Sequence, residues 1–240
     1  MATRQWAVNS NGTFDFNDPA NWVFATVPGA VDIAQFNTGA FDFVTGNATV
    51  AQILVSGGTI DLTGSYTMSG AQATELSVTN ASLTIDAGAS ISGTGNISLS
   101  AGNLFLGGTL AGGSATISNS LVILSPGSVF DAGPITFSGA SNDLGVGPPN
   151  FIQINLETNN AIQVSGSIAA IGTQLSIAGT ISGTGSLAVI DATELDGNNT
   201  YSGGTTLGLG VLAVGNATRS ALVHCASRAA SCWRLSCWRR

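Results

Sequence analysis

Residues 83–99 read LTIDAGASISGTGNISL, and this stretch decides the fold class. Leu83 and Ile85 are separated by one polar residue, and this period of two places aliphatic side chains on one face of a short strand. The pentapeptide ISGTG at 91–95 recurs at 181–185, inside the similar segment LSIAGTISGTGSLAV. Glycines beside such short runs indicate tight turns. The stretch therefore predicts a repeated unit of short strand, glycine turn and short strand.

Short strands of the same kind recur along the chain and indicate a solenoid. They are expected at 59–62, 83–85, 115–117, 122–124, 135–137 and 175–177. Such short strands do not form stable isolated hairpins, so their aliphatic faces must be buried by stacking. At about 22 residues per rung, a repetitive body over 45–218 holds about eight rungs. A β-sandwich is the alternative, but it accounts less well for the recurrence of ISGTG.

The composition supports an all-β chain and argues against nucleic-acid binding. Of the 240 residues, 44% are hydrophobic, only 8% are charged and 32 are glycine, whereas soluble helices are usually covered by charged side chains. Residues 1–218 contain all 13 acidic residues and Arg4 as their only basic residue, a net charge of −12. Because phosphate recognition needs lysine and arginine, no nucleic-acid partner is expected.

The N-terminal region is rich in aromatic residues. Residues 1–44 contain eight of them, including Trp6 and Trp22, and predict a cap that closes the exposed end of the solenoid core. A platform on which carbohydrate rings stack is the alternative interpretation of the two tryptophans. The repetitive body, residues 45–218, follows this cap.

Residues 219–240 differ in composition from the rest and predict an irregular tail. This tail contains all three cysteines, the only histidine and five of the six arginines. The change indicates a frameshifted or truncated reading frame near residue 219. A zinc site is an alternative for Cys225, Cys232, Cys237 and His224, but their spacing fits no common zinc pattern. A cationic segment that binds membranes is another alternative.

Residues 196–216 read DGNNTYSGGTTLGLGVLAVGN and resemble the passenger-associated transport repeat of bacterial autotransporters, also called the autotransporter-associated β-strand repeat. The resemblance extends over 181–216, because ISGTGSLAV is the usual lead-in to this repeat. The matching residues are Asn199, Thr200, Tyr201, Gly203, Gly204, Thr205, Thr206, Gly210, Leu212, Val214, Gly215 and Asn216.

The resemblance implies a fold, a location and partners. The fold is a right-handed parallel β-helix, and the role is a structural or adhesive passenger at the cell surface, with the repeat assisting translocation. A full-length parent would supply a signal peptide and a C-terminal translocator barrel, neither of which is visible in this sequence. Host or cell-surface molecules are the expected contacts. No segment is apolar enough to predict membrane insertion of this chain.

Catalysis is not expected from this sequence. Glycoside hydrolysis needs two suitably spaced carboxylates, and Asp191, Glu194 and Asp196 form the densest acidic group. Solvation of a turn explains these three residues more simply. The body lacks histidine and lysine, which argues against a His-based triad, a His-based metal site or a lysine base. We expect no enzyme activity, no cofactor and no metal, with a polysaccharide-active or carbohydrate-binding β-helix as the alternative function.

Overall fold

The computed structural model of the chain describes residues 1–125, 128–132, 135–138 and 142–146. Beyond these it describes the strands that begin at residue 154 and later, together with Gly197 and residues 199–202. Strands β1 to β17 are Thr3–Gln5, Gly12–Asp15, Ile33–Phe36, Phe41–Thr45, Ala48–Val50, Gln52–Val55, Thr59–Leu62, Ser65–Met68, Thr74–Thr79, Ser82–Ile85, Ser90–Ser92, Asn96–Ser100, Asn103–Leu106, Thr109–Gly112, Ser114–Ser118, Leu121–Leu124 and Val129–Ala132. Strands β18 to β29 are Ile135–Ser138, Asn142–Val146, Ile154–Leu156, Ile162–Val164, Ser167–Ile171, Leu175–Ile177, Ile181–Ser182, Ser186–Val189, Thr193–Leu195, Thr205–Leu207, Leu212–Val214 and Val223–Cys225. Two short 3₁₀ helices, Pro19–Asn21 and Val23–Ala25, lie between β2 and β3.

By its internal contacts the chain divides into two units, and the first comprises Met1–Thr116 and Gly127–Ala132. Its parallel strands stack in the orders β1-β3-β6-β9-β12, β2-β4-β7-β10-β13 and β5-β8-β11-β14-β17. Neighbours in a sheet come from successive turns of the chain. Ser82 of β10, for example, pairs with Asn103 of β13, 21 residues later. From β3 onward, each turn of this unit therefore contributes one strand to each of three sheets, whereas the first turn has β1, β2 and the two 3₁₀ helices.

The second unit comprises Ile117–Pro126 and Gly133–Arg240 and is built in the same way. Its parallel strands stack in the orders β16-β19-β22-β25-β27-β29, β18-β21-β24 and β20-β23-β26-β28. Leu175 of β23 pairs with Thr193 of β26, 18 residues later. Strands of this register and spacing make each unit a parallel β-solenoid, which confirms the all-β solenoid predicted from the repeated short strands.

The core of the first unit consists of aliphatic side chains stacked in columns. Ile60, Leu83 and Leu104 occupy the same register position on β7, β10 and β13, and the exposed fraction of each is 0%. Strands in a sheet lie about 4.8 Å apart, so each of these side chains lies directly over the next. Burial of one such side chain contributes roughly 1.5–3 kcal/mol. The stretch at 83–99 supplies one complete turn of this core, through β10, β11 and β12.

The aromatic side chains of the N-terminal region form a buried cluster in the first unit. Trp22 packs edge-on against Trp6 with ring centroids 4.8 Å apart, and against Phe16 at 4.9 Å. Phe36 and Tyr66 complete the cluster. Trp6 and Trp22 are only 1% and 2% exposed, so neither presents a face for stacking a sugar ring. Their burial agrees with core packing rather than with a carbohydrate platform.

The tail predicted at 219–240 is described over three residues only. Val223–Cys225 form β29, which pairs with β27 in parallel. This strand extends the second unit's stack, a feature that the change in composition did not indicate. The remainder of the tail, including Cys232 and Cys237 of the zinc alternative, lies outside the described residues.

Candidate functional site

Asn199 of the transport-repeat resemblance joins that segment to the second copy of ISGTG. Its side-chain Oδ1 accepts a hydrogen bond from the backbone N–H of Ile181 at 2.8 Å. The backbone N–H of Thr200 donates to the carbonyl of Ile181, also at 2.8 Å. Asn199 is buried and Ile181 is fully buried. The motif therefore holds the preceding turn of the chain through an internal amide, not through a surface contact.

Tyr201 and Thr205 extend the same connection into the core of the second unit. Both side chains are 1% exposed, and their hydroxyl groups are hydrogen-bonded to each other. Burial raises the pKa of Tyr201, although the hydrogen bond to Thr205 opposes that shift. Leu212 on β28 is also buried, whereas Val214 is half-buried. Thr206 lies on β27, and the remaining motif residues, Gly203, Gly204, Gly210, Gly215 and Asn216, lie outside the described residues.

The first copy of ISGTG is shaped by a buried carboxylate, that of Glu75. Glu75 is the extra residue of a β-bulge, because Thr74 pairs with Asn96 while Leu76 pairs with Ile97. Its Oε2 accepts hydrogen bonds from the backbone N–H groups of Thr94 at 2.8 Å and Gly95 at 2.5 Å. A Cβ at position 95 would lie 2.5 Å from Glu75 Cγ. Glycine at this position is therefore needed to admit the Glu75 side chain.

A second buried carboxylate, that of Asp42, lies in the aromatic cluster. Asp42 Oδ2 accepts a hydrogen bond from Trp6 Nε1 at 3.1 Å and one from Thr38 Oγ1 at 3.5 Å. Its Oδ1 has no hydrogen-bond partner within the described part of the chain. Burial raises the pKa of Asp42, and the two hydrogen bonds oppose that shift. This arrangement positions the Trp6 ring and offers no open surface to a ligand.

One sheet of the first unit carries aromatic side chains on its outer face. Phe41 and Phe43 on β4 are 39% and 36% exposed, and their rings meet edge to face at 4.8 Å. Phe43 pairs with Asp61 of β7, which pairs with Thr84 of β10, which pairs with Phe105 of β13. Phe105 is 38% exposed. We call Phe41, Phe43, Asp61, Thr84 and Phe105 the aromatic–carboxylate face.

Asp61 is the unusual member of the aromatic–carboxylate face. It lies between the inward-facing Ile60 and Leu62, so its side chain points to the outer side of the sheet, yet it is only 6% exposed. Its Oδ1 has no hydrogen-bond partner among the residues that the structure describes. Burial, and secondly the negative charge of Asp86, raise the pKa of Asp61 to about 6. Such an uncompensated carboxylate on an outer face is a candidate binding group.

The raised pKa of Asp61 predicts that acidification from pH 7 to pH 5 stabilises the fold. The folded chain binds the Asp61 proton more tightly than the unfolded chain, so the penalty for the charged form grows as pH rises through about 6. In the parent chain, ionisation of Asp61 lowers the free energy of unfolding by about 1 kcal/mol between pH 5 and pH 7. We expect Asp61→Asn to abolish this contribution. The variant should also be more stable than the parent at pH 7.

Urea denaturation at the two pH values measures this effect. Asp131→Asn is the matched control, because it removes the same charge from an exposed position on β17. An Asp61→Asn chain whose stability changes with pH as much as that of Asp131→Asn would disprove the predicted role of Asp61.

The sequence did not single out the aromatic–carboxylate face. Its only available signal was two aromatic residues at alternate positions, Phe41 and Phe43, followed 18 residues later by an aspartate within a strand pattern. The acidic group that the sequence offered for hydrolysis, Asp191, Glu194 and Asp196, has no side chain among the described residues. In the described ranges no three His, Cys, Asp or Glu side chains are grouped closely enough to hold a metal ion. No helix in the described part of the chain has the length and apolarity needed to cross a membrane.

Comparison of the chain with protein-family models, with curated proteins and with solved structures gave no match. Function is therefore inferred from the fold and from the residues themselves.

Proposed function

We propose that this chain is part of the passenger of an autotransporter-like surface protein and acts as a β-solenoid stalk. In this role it extends away from a bacterial outer membrane and makes contacts along its length, without catalysing a reaction. A translocator barrel in a full-length parent is its export partner, and host or cell-surface molecules are its contacts.

The observation that carries the proposal is the stacking of parallel strands in register, seen separately within each unit. In the first unit, aliphatic side chains such as Ile60, Leu83 and Leu104 are buried against those of the neighbouring turns, so a stack of this kind grows along the chain by local contacts alone. Pairing of Ser82 with Asn103 and of Leu175 with Thr193 illustrates how closely spaced in sequence these contacts are. A chain that folds turn by turn is suited to emerging through a narrow pore and folding on the far side.

The burial of two motif residues in the 196–216 segment supports a role of the repeat in translocation. Asn199 and Tyr201 match the transport repeat, and both are buried where the segment meets the preceding turn. In the proposed role, the bond from Ile181 to Asn199 fixes a newly exported turn on the one before it.

Surface display tests the proposal directly. The chain is placed between a secretory signal peptide and a translocator barrel, and display is measured by antibody labelling of intact cells. We expect Asn199→Ala to lower display several-fold, because the unpaired N–H of Ile181 costs about 1–3 kcal/mol in the buried turn. Thr200→Ala is the matched control, since the Thr200 side chain is exposed and its backbone bond survives the change.

Two results would contradict the proposal. One is a parent chain that does not reach the surface in this arrangement. The other is display of Asn199→Ala that equals that of Thr200→Ala while both total expression and folding are unchanged.

A further inference from the structure

We infer that the aromatic–carboxylate face binds a cationic side chain, an arginine or lysine of a partner polypeptide, with Asp61 as the charged contact. This site goes beyond the stalk role and does not depend on how the chain is exported.

The first support is the placement of the aromatic rings around the carboxylate. Phe43 and Asp61 are directly paired on adjacent strands, and Phe105 is two strands beyond Asp61 in the same column. Because adjacent strands are about 4.8 Å apart, the Cα atoms of Phe43 and Phe105 are about 14 Å from each other. Asp61 and Thr84 occupy the two positions between them in this column. Aromatic ring faces attract the cationic groups of arginine and lysine, most strongly where water is partly excluded.

The second support is the state of the Asp61 carboxylate itself. It is more than nine-tenths buried on the outer face, and its Oδ1 has no hydrogen-bond partner within the described part of the chain. A neutral ligand would satisfy its hydrogen-bonding capacity but not its charge. A guanidinium or ammonium group supplies both donors and charge, and the low-polarity surroundings strengthen the attraction.

The third support is the charge of the surroundings. Asp86 follows β10 and adds a second negative charge close enough to disfavour ionisation of Asp61. Residues 1–218 carry a net charge of −12 and no lysine. Arg4, the only basic residue of that segment, has its Nε 3.7 Å from Asp32 Oδ2. Residues 1–218 therefore supply no second cation to this face, and a basic partner is complementary to the acidic body.

The polar residues of the same sheet favour a polypeptide over a single small cation. Thr59, Ser82 and Asn103 form the neighbouring outward column, beside Phe41. Asn103 Nδ2 donates a hydrogen bond to Ser82 Oγ at 3.0 Å, and the amide oxygen of Asn103 takes no part in this bond. Amides and hydroxyl groups beside an anchored cation are suited to hydrogen bonds with a peptide backbone.

Calorimetric titration of the full chain with a short peptide of alternating glycine and arginine tests the inference. The same peptide with citrulline in place of arginine keeps the shape and three of the five N–H donors, but a carbonyl oxygen replaces one nitrogen and the charge is lost. We expect binding of the arginine peptide that weakens with added salt, and binding of the citrulline peptide that is about 10-fold weaker. A neutral β-glucan oligosaccharide serves as the probe for carbohydrate binding.

Variants localise the binding to the aromatic–carboxylate face. Asp61→Asn and Phe43→Leu should each weaken the arginine peptide about 10-fold, while Asp131→Asn, which removes an equal charge from another sheet, leaves it unchanged. Because Asp61→Asn is expected to stabilise the fold at pH 7, its loss of binding will not reflect unfolding. The inference is overturned by absent arginine-peptide binding, by equal binding of both peptides, or by an equal loss in Asp131→Asn. Glucan binding that persists in Asp61→Asn, without arginine binding, would identify a carbohydrate surface instead.

Discussion

Replacement of Trp22 by alanine is expected to lower the free energy of unfolding by about 3–5 kcal/mol, the range for truncation of a large buried aromatic residue. Trp22 is 2% exposed and packs against Trp6, Phe16 and Phe36 with ring centroids 4.8, 4.9 and 5.7 Å away. The change leaves a cavity among rigid rings that cannot collapse to fill it. It also removes the hydrogen bond from Trp22 Nε1 to the carbonyl of Phe16, 2.7 Å long. Urea denaturation at pH 7, followed by circular dichroism, measures the loss.

Phe24 supplies the control for this substitution from the same loop. Phe24 is 89% exposed, and its φ of 63° is unfavourable for phenylalanine and alanine alike. We expect Phe24→Ala to change the free energy of unfolding by less than about 0.5 kcal/mol. Equal stability of the two alanine variants would contradict the packing of Trp22 in a buried aromatic cluster.

Replacement of Gly58 by alanine is expected to cost at least about 3 kcal/mol, because two penalties coincide. Its φ of +67° lies in the left-handed region, where a Cβ is disfavoured. The Cβ would also lie 2.4 Å from the carbonyl oxygens of both Thr38 and Ala40, which belong to the preceding turn. These atoms are backbone and cannot move without disturbing the stack. The same denaturation experiment measures the cost.

Two other glycines separate the two penalties. Gly88 has a φ of +85° but open space around its Cβ position, so Gly88→Ala should cost only about 1–2 kcal/mol. Gly39 has open space and no left-handed φ, so Gly39→Ala should change stability by less than about 0.5 kcal/mol. The expected order of destabilisation is Gly58, Gly88, Gly39. Equal effects of all three substitutions would show that turns do not approach each other at Gly58.

The fold was predictable because its signal is local. Leu83 and Ile85 alternate with polar residues, and the glycines that follow mark the turn, so strands β10 and β11 could be placed from neighbouring residues alone. The strand predicted at 59–62 is β7, residue for residue. Stacking then followed from the need to bury aliphatic faces that no isolated short strand can bury.

The candidate site was not predictable because its signal depends on register between turns. Asp61 reads as an ordinary solvated residue of an alternating strand, and only its pairing with Phe43 places it among aromatic rings. The role of Glu75 is hidden for a related reason. A bulge of one residue turns its carboxylate toward the backbone N–H groups of Thr94 and Gly95, and no local pattern marks that bulge.

The transport repeat was predictable in part. The resemblance identified Asn199 and Tyr201 as pattern residues but did not say which atoms they contact. The structure adds that both are buried, and that Asn199 accepts a hydrogen bond from Ile181, the first residue of the second ISGTG. The glycines of the motif, Gly203, Gly204, Gly210 and Gly215, lie outside the described residues.

Disulfide trapping of two register-paired residues tests the stacked solenoid most directly. Ser82 and Asn103 are paired on adjacent parallel strands, and both face outward. With the three native cysteines replaced by serine, the variant Ser82→Cys/Asn103→Cys should oxidise readily to an intramolecular disulfide, since adjacent strands place the two Cα atoms within bridging range, about 4.8 Å apart. The pair Ser82→Cys/Leu104→Cys should not, because Leu104 is buried on the opposite face. Disulfide formation by the second pair and not the first would contradict the register on which the solenoid rests.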